Sequence, residues 1–371
     1  MSVKSNVKVV FDDQIFCWQE FGGISRYFYE LARRVQNKKG FSASVIAPVY
    51  VNSYLDAGDV NIKGVHIPKV RNSGRIISAL NSLAVPKLIR AEKPDVLHET
   101  YFYRRRSMAP HGCPTVLTVF DMIQEKFPNY FLARDHTTEA KRAAVMRADR
   151  VICISESTRR DLIDLFDIPP EKTVVVYLGF ALTNRGRAIS PPAESRPFLL
   201  YVGLRDRYKN FDALLSAYAS STALRNNFSL VAFGGGGFST GEAERIRALG
   251  LTDSVRQISG DDALLAGLYR QSAAFVYPSL YEGFGIPLLE AMSFDCPVIC
   301  SNTSSLPEVV GNAGYLFDPT DIDALRAAIE TVVGSPDLRD DLIRRGRERI
   351  KQFSWGRTAD ETVDVYRQVL Q

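Results

Sequence analysis

The stretch from residue 273 to residue 292 constrains the fold more than any other part of the sequence. An apolar run at 273–277 predicts a buried strand, and Gly283 and Gly285 permit a tight turn after it. Pro287 suits the first turn of a helix that follows. A strand, a glycine turn and a helix in this order bring backbone amides and the positive end of a helix dipole to one point. The stretch therefore predicts an anion site, with phosphate as the expected ligand.

Two carboxylates flank this predicted anion site. Glu282 precedes the turn, and Glu290 lies inside the helix. Both would repel a phosphate that they faced directly, but a carboxylate accepts paired hydrogen bonds from sugar hydroxyls. A nucleotide sugar would satisfy the amides and the acids together. In a second interpretation, Glu282 stabilises the helix dipole and Glu290 lies on a solvated helix face.

Length and composition predict a globular protein of two domains. The chain has 371 residues, of which 46% are hydrophobic and 24% are charged, so two domains of about 170 to 190 residues are expected. No apolar run reaches the roughly 20 residues that cross a bilayer, and the first residues do not resemble a signal peptide. We therefore expect a cytoplasmic location. The five Cys and four His show no metal-ligand spacing, so no metal is expected.

Charge is distributed unevenly along the chain. Residues 1–180 carry 26 Lys and Arg against 19 Asp and Glu, whereas residues 181–371 carry 20 against 23. Basic clusters at 33–34, 38–39 and 104–106 would attract anionic lipid headgroups or a pyrophosphate-linked acceptor. They are equally explained as solvated faces. Aromatic residues do not interleave with these clusters, so nucleic acid is not an expected partner.

The first half of the sequence alternates between apolar runs and helical patterns. Strands are predicted at Val7–Phe11 and at 44–47, 95–98, 115–120 and 150–154, with helices at 24–35, 76–90 and 137–148. This alternation predicts a parallel sheet covered by helices. Groups that act in such sheets lie beyond the carboxyl ends of the strands, which makes His98, Asp121 and Ser155 candidates. A structural histidine and two helix caps are the alternative explanations.

Glycines and cations follow several of the predicted strands. Gly22 and Gly23 precede the first helix, where a phosphate or simply a tight turn would explain them. After a polar, proline-rich linker at 180–196, the strand Phe198–Val202 leads to Arg205, Arg207 and Lys209. These cations would neutralise a diphosphate, or they would be solvated. Further strands at Ser229–Phe233 and 255–259 end in glycines that could border a purine or form flexible turns.

The segment Pro278-Ser279-Leu280-Tyr281-Glu282-Gly283-Phe284-Gly285-Ile286-Pro287, with Glu290-Ala291-Met292, resembles the donor-site signature of retaining glycosyltransferases of family 4. The resemblance implies the α/β GT-B fold, with two Rossmann-like, doubly wound domains that face a cleft. It implies an acceptor-side domain at 1–180 and a nucleotide-sugar-binding domain at 181–353. Residues 354–371 would form a C-terminal helix that crosses back to the first domain.

The resemblance also implies roles for the motif residues. Glu282 would contact the transferred sugar, the amides of Gly283, Phe284 and Gly285 would contact sugar or phosphate, and Glu290 would hold the ribose hydroxyls. In the loop after Phe198–Val202, Lys209 and Arg205 would bind the donor diphosphate, with Arg207 as the alternative to Arg205.

Four further positions take expected roles from the same resemblance. Gly23, and next to it Gly22, would face the donor diphosphate, and Gly260 would line the base pocket. Asp121 would lie near the acceptor, with a helix-capping role as the alternative. Many family members have His before this Asp, whereas this chain has Phe120, so the role of that His is not inherited.

The expected function is transfer of a hexose, with retention of configuration, to a saccharide or lipid-linked oligosaccharide acceptor in surface polysaccharide or lipopolysaccharide synthesis. The segments at 11–16 and 22–28 resemble those of bacterial polysaccharide mannosyltransferases. They make GDP-mannose the first expected donor, ahead of UDP-glucose and dTDP-rhamnose.

The nucleotide sugar would be a co-substrate, with no cofactor, and the basic first half would contact the inner face of an anionic membrane. The alternatives are a nucleotide-sugar epimerase of the same fold, a pyridoxal-phosphate phosphorylase and a non-catalytic nucleotide-binding module.

Overall fold

The computed structural model describes residues 6–70, 73–102, 107–132, 135–180, 196–205 and 207–371. Most of the predicted linker, at 181–195, and the arginine cluster at 104–106 lie outside these ranges. The chain divides into two compact units. Unit 1 comprises Met1–Gly179 and Trp355–Gln371, and unit 2 comprises Phe180–Ser354.

Unit 1 is built around a parallel sheet, with seven strands in its described residues. The strands are β1 (Val7–Phe11), β2 (Phe41–Tyr50), β3 (Ile62–His66), β4 (Val96–Glu99), β5 (Thr115–Val119), β6 (Arg150–Cys153) and β7 (Thr173–Val175). The first five helices are α1 (Gly23–Val35), α2 (Ser73–Glu92), α3 (Ile123–Lys126), α4 (Thr137–Arg147) and α5 (Glu156–Phe166). The strand order is β3-β2-β1-β4-β5-β6-β7.

The strand order reverses between β1 and β4, where the loops that follow the two strands leave in opposite directions. Asp12 follows β1 and is buried at this point. Its carboxylate accepts hydrogen bonds from the Thr100 amide at 3.0 Å and from Gln14 Nε2 at 2.6 Å. The two loops are therefore joined by the buried Asp12 carboxylate, whose hydrogen bonds compensate for its lost hydration.

Unit 2 has a second parallel sheet, with six strands in its described residues, in the order β10-β9-β8-β11-β12-β13. The strands are β8 (Phe198–Val202), β9 (Ser229–Phe233), β10 (Val255–Ile258), β11 (Ala274–Tyr277), β12 (Val298–Ser301) and β13 (Gly314–Phe317). The helices are α6 (Phe211–Ser220), α7 (Thr222–Asn227), α8 (Thr240–Ala248), α9 (Asp262–Gln271), α10 (Ile286–Ser293), α11 (Leu306–Val310), α12 (Ile322–Gly334) and α13 (Pro336–Arg349). Because every residue of β8, β9, β11 and β12 is buried, these strands form the core of the unit. The reversal of strand order lies between β8 and β11.

The last helix, α14 (Trp355–Val369), belongs to unit 1 although the whole of unit 2 precedes it in the chain. Thr358 Oγ1 donates to the Tyr177 carbonyl at 2.8 Å, and the Trp355 ring lies 6.3 Å from the Tyr27 ring. The expected return of the final helix to the first domain is confirmed. So is the expected α/β class, because each unit contains a doubly wound parallel sheet.

His98, at the end of β4, is a structural residue in the core of unit 1. It is fully buried, with Nδ1 2.7 Å from the Tyr366 hydroxyl of α14 and Nε2 2.9 Å from Thr118 Oγ1. Burial lowers the pKa of His98 from 6.5 to about 3, so the imidazole is neutral in the folded protein. Of the two interpretations of His98, the hydrogen-bonded structural one is confirmed. Ser155 is likewise a helix cap, because its Oγ accepts from the Thr158 amide at the start of α5.

We expect His98 to make unit 1 less stable in mild acid. Its pKa is lowered in the folded state, so the unfolded chain binds a proton as the pH falls below 6.5 while the folded protein does not. Stability is therefore lost as the pH falls from 6.5 towards 3. The free energy of unfolding should decrease by about 2 kcal/mol between pH 7.5 and pH 5 from this group alone. Urea unfolding at both pH values measures the change.

Two variants isolate this contribution. His98→Asn should be less stable at pH 7.5 but should lose less stability between the two pH values. His136→Asn, at a histidine whose side chain is 69% exposed, should behave like the wild-type protein. An equal pH dependence in all three proteins would contradict the assignment.

Candidate active site

The candidate site of unit 2 lies at the carboxyl ends of β8 and β11, where the strand order reverses. Lys209, in the loop after β8, donates from Nζ to both carboxylate oxygens of Glu282 in the loop after β11, at 2.7 and 2.9 Å. The side chains of Lys209 and Glu282 are 16% and 9% exposed. A cation and an acid that are 73 residues apart in sequence thus form a bidentate pair at the edge where doubly wound sheets bind ligands.

Tyr277, the last residue of β11, completes this pair. Its hydroxyl lies 3.5 Å from Lys209 Nζ, and its side chain is also hydrogen-bonded to Glu282. Burial, followed by the Glu282 charge, raises the pKa of Tyr277 well above its ordinary value. The hydroxyl therefore stays protonated and donates to the carboxylate. Sequence reasoning identified Tyr277 only as a strand end, although a hydroxyl closing an apolar run just before the motif is a signal that could have been used.

Two serines before α11 hold the turn that carries Glu282. The Glu282 amide donates to Ser304 Oγ at 2.9 Å, and Ser305 Oγ contacts the carbonyl oxygens of Glu282 and Phe284 at 2.9 and 3.0 Å. Ser304 has φ = +51°, an uncommon left-handed conformation for a residue with a side chain. These contacts fix the backbone on which the carboxylate is mounted. Sequence reasoning did not predict this role for the two serines.

Gly285 makes the turn into α10 possible. Its φ is +101°, and a Cβ placed there would lie 2.9 Å from Leu306 Cδ2 and 3.0 Å from Leu288 Cδ1. Pro287 lies in the first turn of α10, as predicted. The Phe284 side chain is buried and packs edge-on against Phe353, with 5.8 Å between ring centroids, so only its backbone is suited to a ligand. Anion binding by the amides of residues 283–285 stays a prediction.

Glu290 lies on α10 and is 8% exposed. It is hydrogen-bonded to Tyr269, whose pKa is raised well above its ordinary value by burial and next by the Glu290 charge. Glu290 is buried, so the alternative that places it on a solvated helix face is wrong. The expected hydrogen bonds from Glu290 to ribose hydroxyls stay a prediction.

Arg205 lies in the loop after β8, where it holds a glycine turn. Its side chain is 4% exposed and is bonded through Nε to Glu242 Oε1 at 2.5 Å. The other guanidinium nitrogens donate to the carbonyl oxygens of Gly234 at 2.8 Å and of Gly236 and Gly237 at 3.0 Å each. The structure therefore gives Arg205 a scaffold role and brings Lys209, rather than Arg205, to Glu282. Contact of Arg205 with a diphosphate stays a prediction.

The glycines at 234–236 explain how this turn can surround a guanidinium. Their φ angles are +86°, +70° and +70°, which residues with side chains rarely adopt in succession. A Cβ on Gly235 would lie 2.7 Å from Arg205 Nη1. Gly260, the residue predicted to line a base pocket, lies in the loop between β10 and α9, next to Asp261, whose side chain caps α9. Its role also stays a prediction.

In unit 1, the predicted glycine pair marks the start of α1. Gly22 is the capping residue and Gly23 is the first helical residue. Gln19 Oε1 accepts a hydrogen bond from the Ser25 amide at 3.1 Å and lies where a Cβ on Gly22 would collide with it. A phosphate at this helix start would have to compete with that side chain. Gln19 was missed in the sequence, because glutamine is not among the residues that usually cap a helix.

Asp121 follows β5 and bonds to the first amide of the next helix, α3. Its Oδ1 accepts from the Ile123 amide at 3.1 Å and lies 4.0 Å from Nζ of the buried Lys141, which pairs with Glu125 at 2.8 Å. The capping alternative describes this contact, and a role near the acceptor stays a prediction. Phe120, where many family members have His, packs edge-on against Tyr27 at 5.2 Å.

Comparisons with known proteins agree with this fold. The family model described as Glycosyltransferase Family 4 matches residues 21–184, and the one described as Glycosyl transferases group 1 matches residues 183–349. The O-antigen chain mannosyltransferase B of Escherichia coli is 30% identical in an alignment of 382 positions that covers 93% of this chain and 96% of that protein.

Two solved structures share the fold at low sequence identity. Sucrose-phosphate synthase from Thermosynechococcus elongatus superposes with a TM-score of 0.74 at 21% identity, covering 98% of this chain and 99% of that one. Anabaena HepE in complex with UDP and glucose superposes with a TM-score of 0.71 at 18% identity, covering 97% and 99%. The expected GT-B fold is thereby confirmed.

The two family models and the Escherichia coli relative show that the protein is a glycosyltransferase. With its matched family models and its full-length relative, the chain belongs to glycosyltransferase family 4.

Proposed function

We propose that the protein transfers a hexose from a nucleotide diphosphate sugar to a hydroxyl of a saccharide or lipid-linked saccharide, with retention of anomeric configuration. The Lys209–Glu282 pair carries this proposal, because it offers a cation to a diphosphate and a carboxylate to sugar hydroxyls at one place. Residues 283–285 lead from the same carboxylate into the start of α10, where the helix dipole favours an anion.

In the proposed reaction, the bond between the anomeric carbon and the diphosphate oxygen breaks while the acceptor hydroxyl oxygen bonds to that carbon. The acceptor proton passes to an oxygen of the departing diphosphate. Lys209 stabilises the charge that develops on the diphosphate, and its ammonium does so without moving far from Glu282. Glu282 orients the sugar through its hydroxyls. A covalent double displacement would need a carboxylate beneath the anomeric carbon.

The proposed donor is GDP-mannose. The full-length relative named above is an O-antigen chain mannosyltransferase, and the match covers nearly all of both chains. That name also supports a place in surface polysaccharide synthesis. UDP-glucose is the second candidate, since HepE, with the same fold, was crystallised with UDP and glucose. dTDP-rhamnose is the third candidate donor.

We further propose that no metal takes part, and that the protein acts in the cytoplasm in contact with the inner face of the membrane.

Transfer assays with each donor test the proposal. The whole chain is incubated with radiolabelled GDP-mannose, UDP-glucose or dTDP-rhamnose, with and without a short mannose oligosaccharide, and the product anomer is assigned by NMR. We expect mannose transfer that requires the acceptor and gives an α-linked product. Conversion of the donor without an acceptor would favour the epimerase, and nucleotide binding without turnover would favour the non-catalytic module.

A further inference from the structure

Helix α2 of unit 1 is apolar on two opposite faces. Ile77, Asn81, Val85 and Ile89, four residues apart, are buried on one face. The other face exposes large apolar side chains, with relative exposures of 64% for Ile76, 57% for Leu80 and 76% for Leu83. A helix that covers one face of a sheet needs only one apolar stripe. The exposed stripe therefore calls for a different explanation from packing within unit 1.

The charges around this stripe have one sign. Lys87 and Arg90 are exposed on α2 on the same side as Leu80 and Leu83. The only acid on the helix is Glu92, whose carboxylate oxygens are engaged by Lys8 and Lys63. We call the exposed residues Ile76, Leu80, Leu83, Lys87 and Arg90 the α2 patch. It combines contiguous apolar surface with cations and no unpaired carboxylate.

We propose that the α2 patch docks onto the surface of an anionic lipid bilayer. In such docking the apolar side chains enter the boundary between headgroups and acyl chains, while Lys87 and Arg90 contact phosphate groups. The helix lies on the membrane rather than across it, since no helix among the described residues is long and apolar enough to span one. Docking of a second copy would set two cationic faces against each other, and the like charges would oppose it.

This proposal deepens the proposed function, on whose membrane contact it rests, but it is independent of the donor. A failure of hexose transfer would leave it untouched, because it concerns a surface formed entirely by one helix of unit 1. It identifies which surface would make the membrane contact expected from the charge of the first half. The patch consists of α2 side chains and not of the basic clusters at 33–34 and 38–39, in which Arg33 and Arg34 pair with Glu30 and Lys38 pairs with Asp360.

Vesicle flotation with the whole chain tests the proposal. Vesicles of phosphatidylcholine with phosphatidylglycerol are compared with vesicles of phosphatidylcholine alone, and we expect binding to the anionic ones. The double variant Leu80→Glu/Leu83→Glu should bind at least about tenfold more weakly, because two apolar anchors become acids. Lys87→Glu/Arg90→Glu should weaken binding by about tenfold as well, and more salt should weaken the wild type.

Leu165→Glu is the matched control. Leu165 lies on α5, which connects β6 to β7 at the edge of the sheet away from α2, and it is 38% exposed. This variant should bind vesicles like the wild type, and circular dichroism should show that all variants are folded. Absence of wild-type binding, or equal binding by Leu80→Glu/Leu83→Glu, would overturn the proposal. A wild-type dimer that becomes monomeric in Leu80→Glu/Leu83→Glu would assign the patch to a second copy instead.

Discussion

Replacing Lys209 by alanine is expected to lower the turnover number by about 10²- to 10³-fold. Lys209 is the cation that the structure places against Glu282, where the leaving diphosphate is proposed to bind. Its loss removes a preorganised charge from a site that is largely shielded from solvent. Initial rates with radiolabelled donor measure the effect, and binding of the nucleoside diphosphate by calorimetry separates chemistry from affinity. Arg245→Ala, at an exposed cation that pairs with Asp212, should keep wild-type turnover.

A double variant decides what Lys209 does. Lys209→Ala also leaves the buried Glu282 carboxylate without its cation, which lowers stability. In Lys209→Met/Glu282→Gln both charges are removed, so stability should return while turnover stays low. Tyr277→Phe removes a single hydrogen bond to the pair and should lower turnover by only about fivefold. Recovery of turnover in the double variant would mean that Lys209 merely neutralises Glu282, contrary to the proposed mechanism.

Arg205→Ala is expected to lower the free energy of unfolding of unit 2 by about 3 kcal/mol or more. The guanidinium is bonded to Glu242 and to three carbonyl oxygens of the glycine turn, and the side chain is 4% exposed. Alanine would leave those carbonyl groups and a carboxylate without their donor. Urea unfolding measures the change. Arg205→Lys keeps the charge but cannot span four acceptors, so it should recover only part of the stability.

The same variants distinguish a scaffold residue from a diphosphate ligand. If Arg205 also binds the diphosphate directly, Arg205→Ala should lose affinity for nucleotide as well as stability. Calorimetric titration with GDP and UDP, well below the unfolding temperature, provides the comparison. Unchanged stability would contradict the scaffold role, and lost affinity for nucleotide would support the predicted contact with the diphosphate.

The sequence predicted the interior strands of both sheets and missed three of the four edge strands. The predicted bounds of β1, β8 and β9 agree with the structure, and those of β4, β5, β6, β10, β11 and of β12, predicted at 297–301, differ by one residue at most at either end, whereas β2 is three residues longer at each end than predicted. The strands that were not predicted are β3, β7 and β13, and all three lie at sheet edges. An edge strand has one neighbouring strand and less cover, so it needs fewer apolar residues. In β3, for example, the three central residues are exposed.

Individual positions in the site were easier to predict than their partners. A glycine turn between a strand and a helix could be recognised around Gly285 from local sequence. Pairing of Lys209 with Glu282 depends on β8 and β11 being neighbours, and strand order is not written in local periodicity. The resemblance implied that Arg205 binds a diphosphate, and local sequence did not indicate its partners in the folded chain. Its bonded partners come from the loop after β9 and from α8, which the linear sequence does not bring near it.

Helix α14 has a consequence for how the protein is made. It supplies Tyr366 to His98 and Thr358 to the Tyr177 carbonyl, so unit 1 lacks these partners until the ribosome has synthesised all of Phe180–Ser354 and the helix after it. Unit 2 is a continuous segment and can fold as soon as it emerges. Although unit 1 is translated first, it is expected to complete its folding last, and its nascent form would be the one that depends on chaperones.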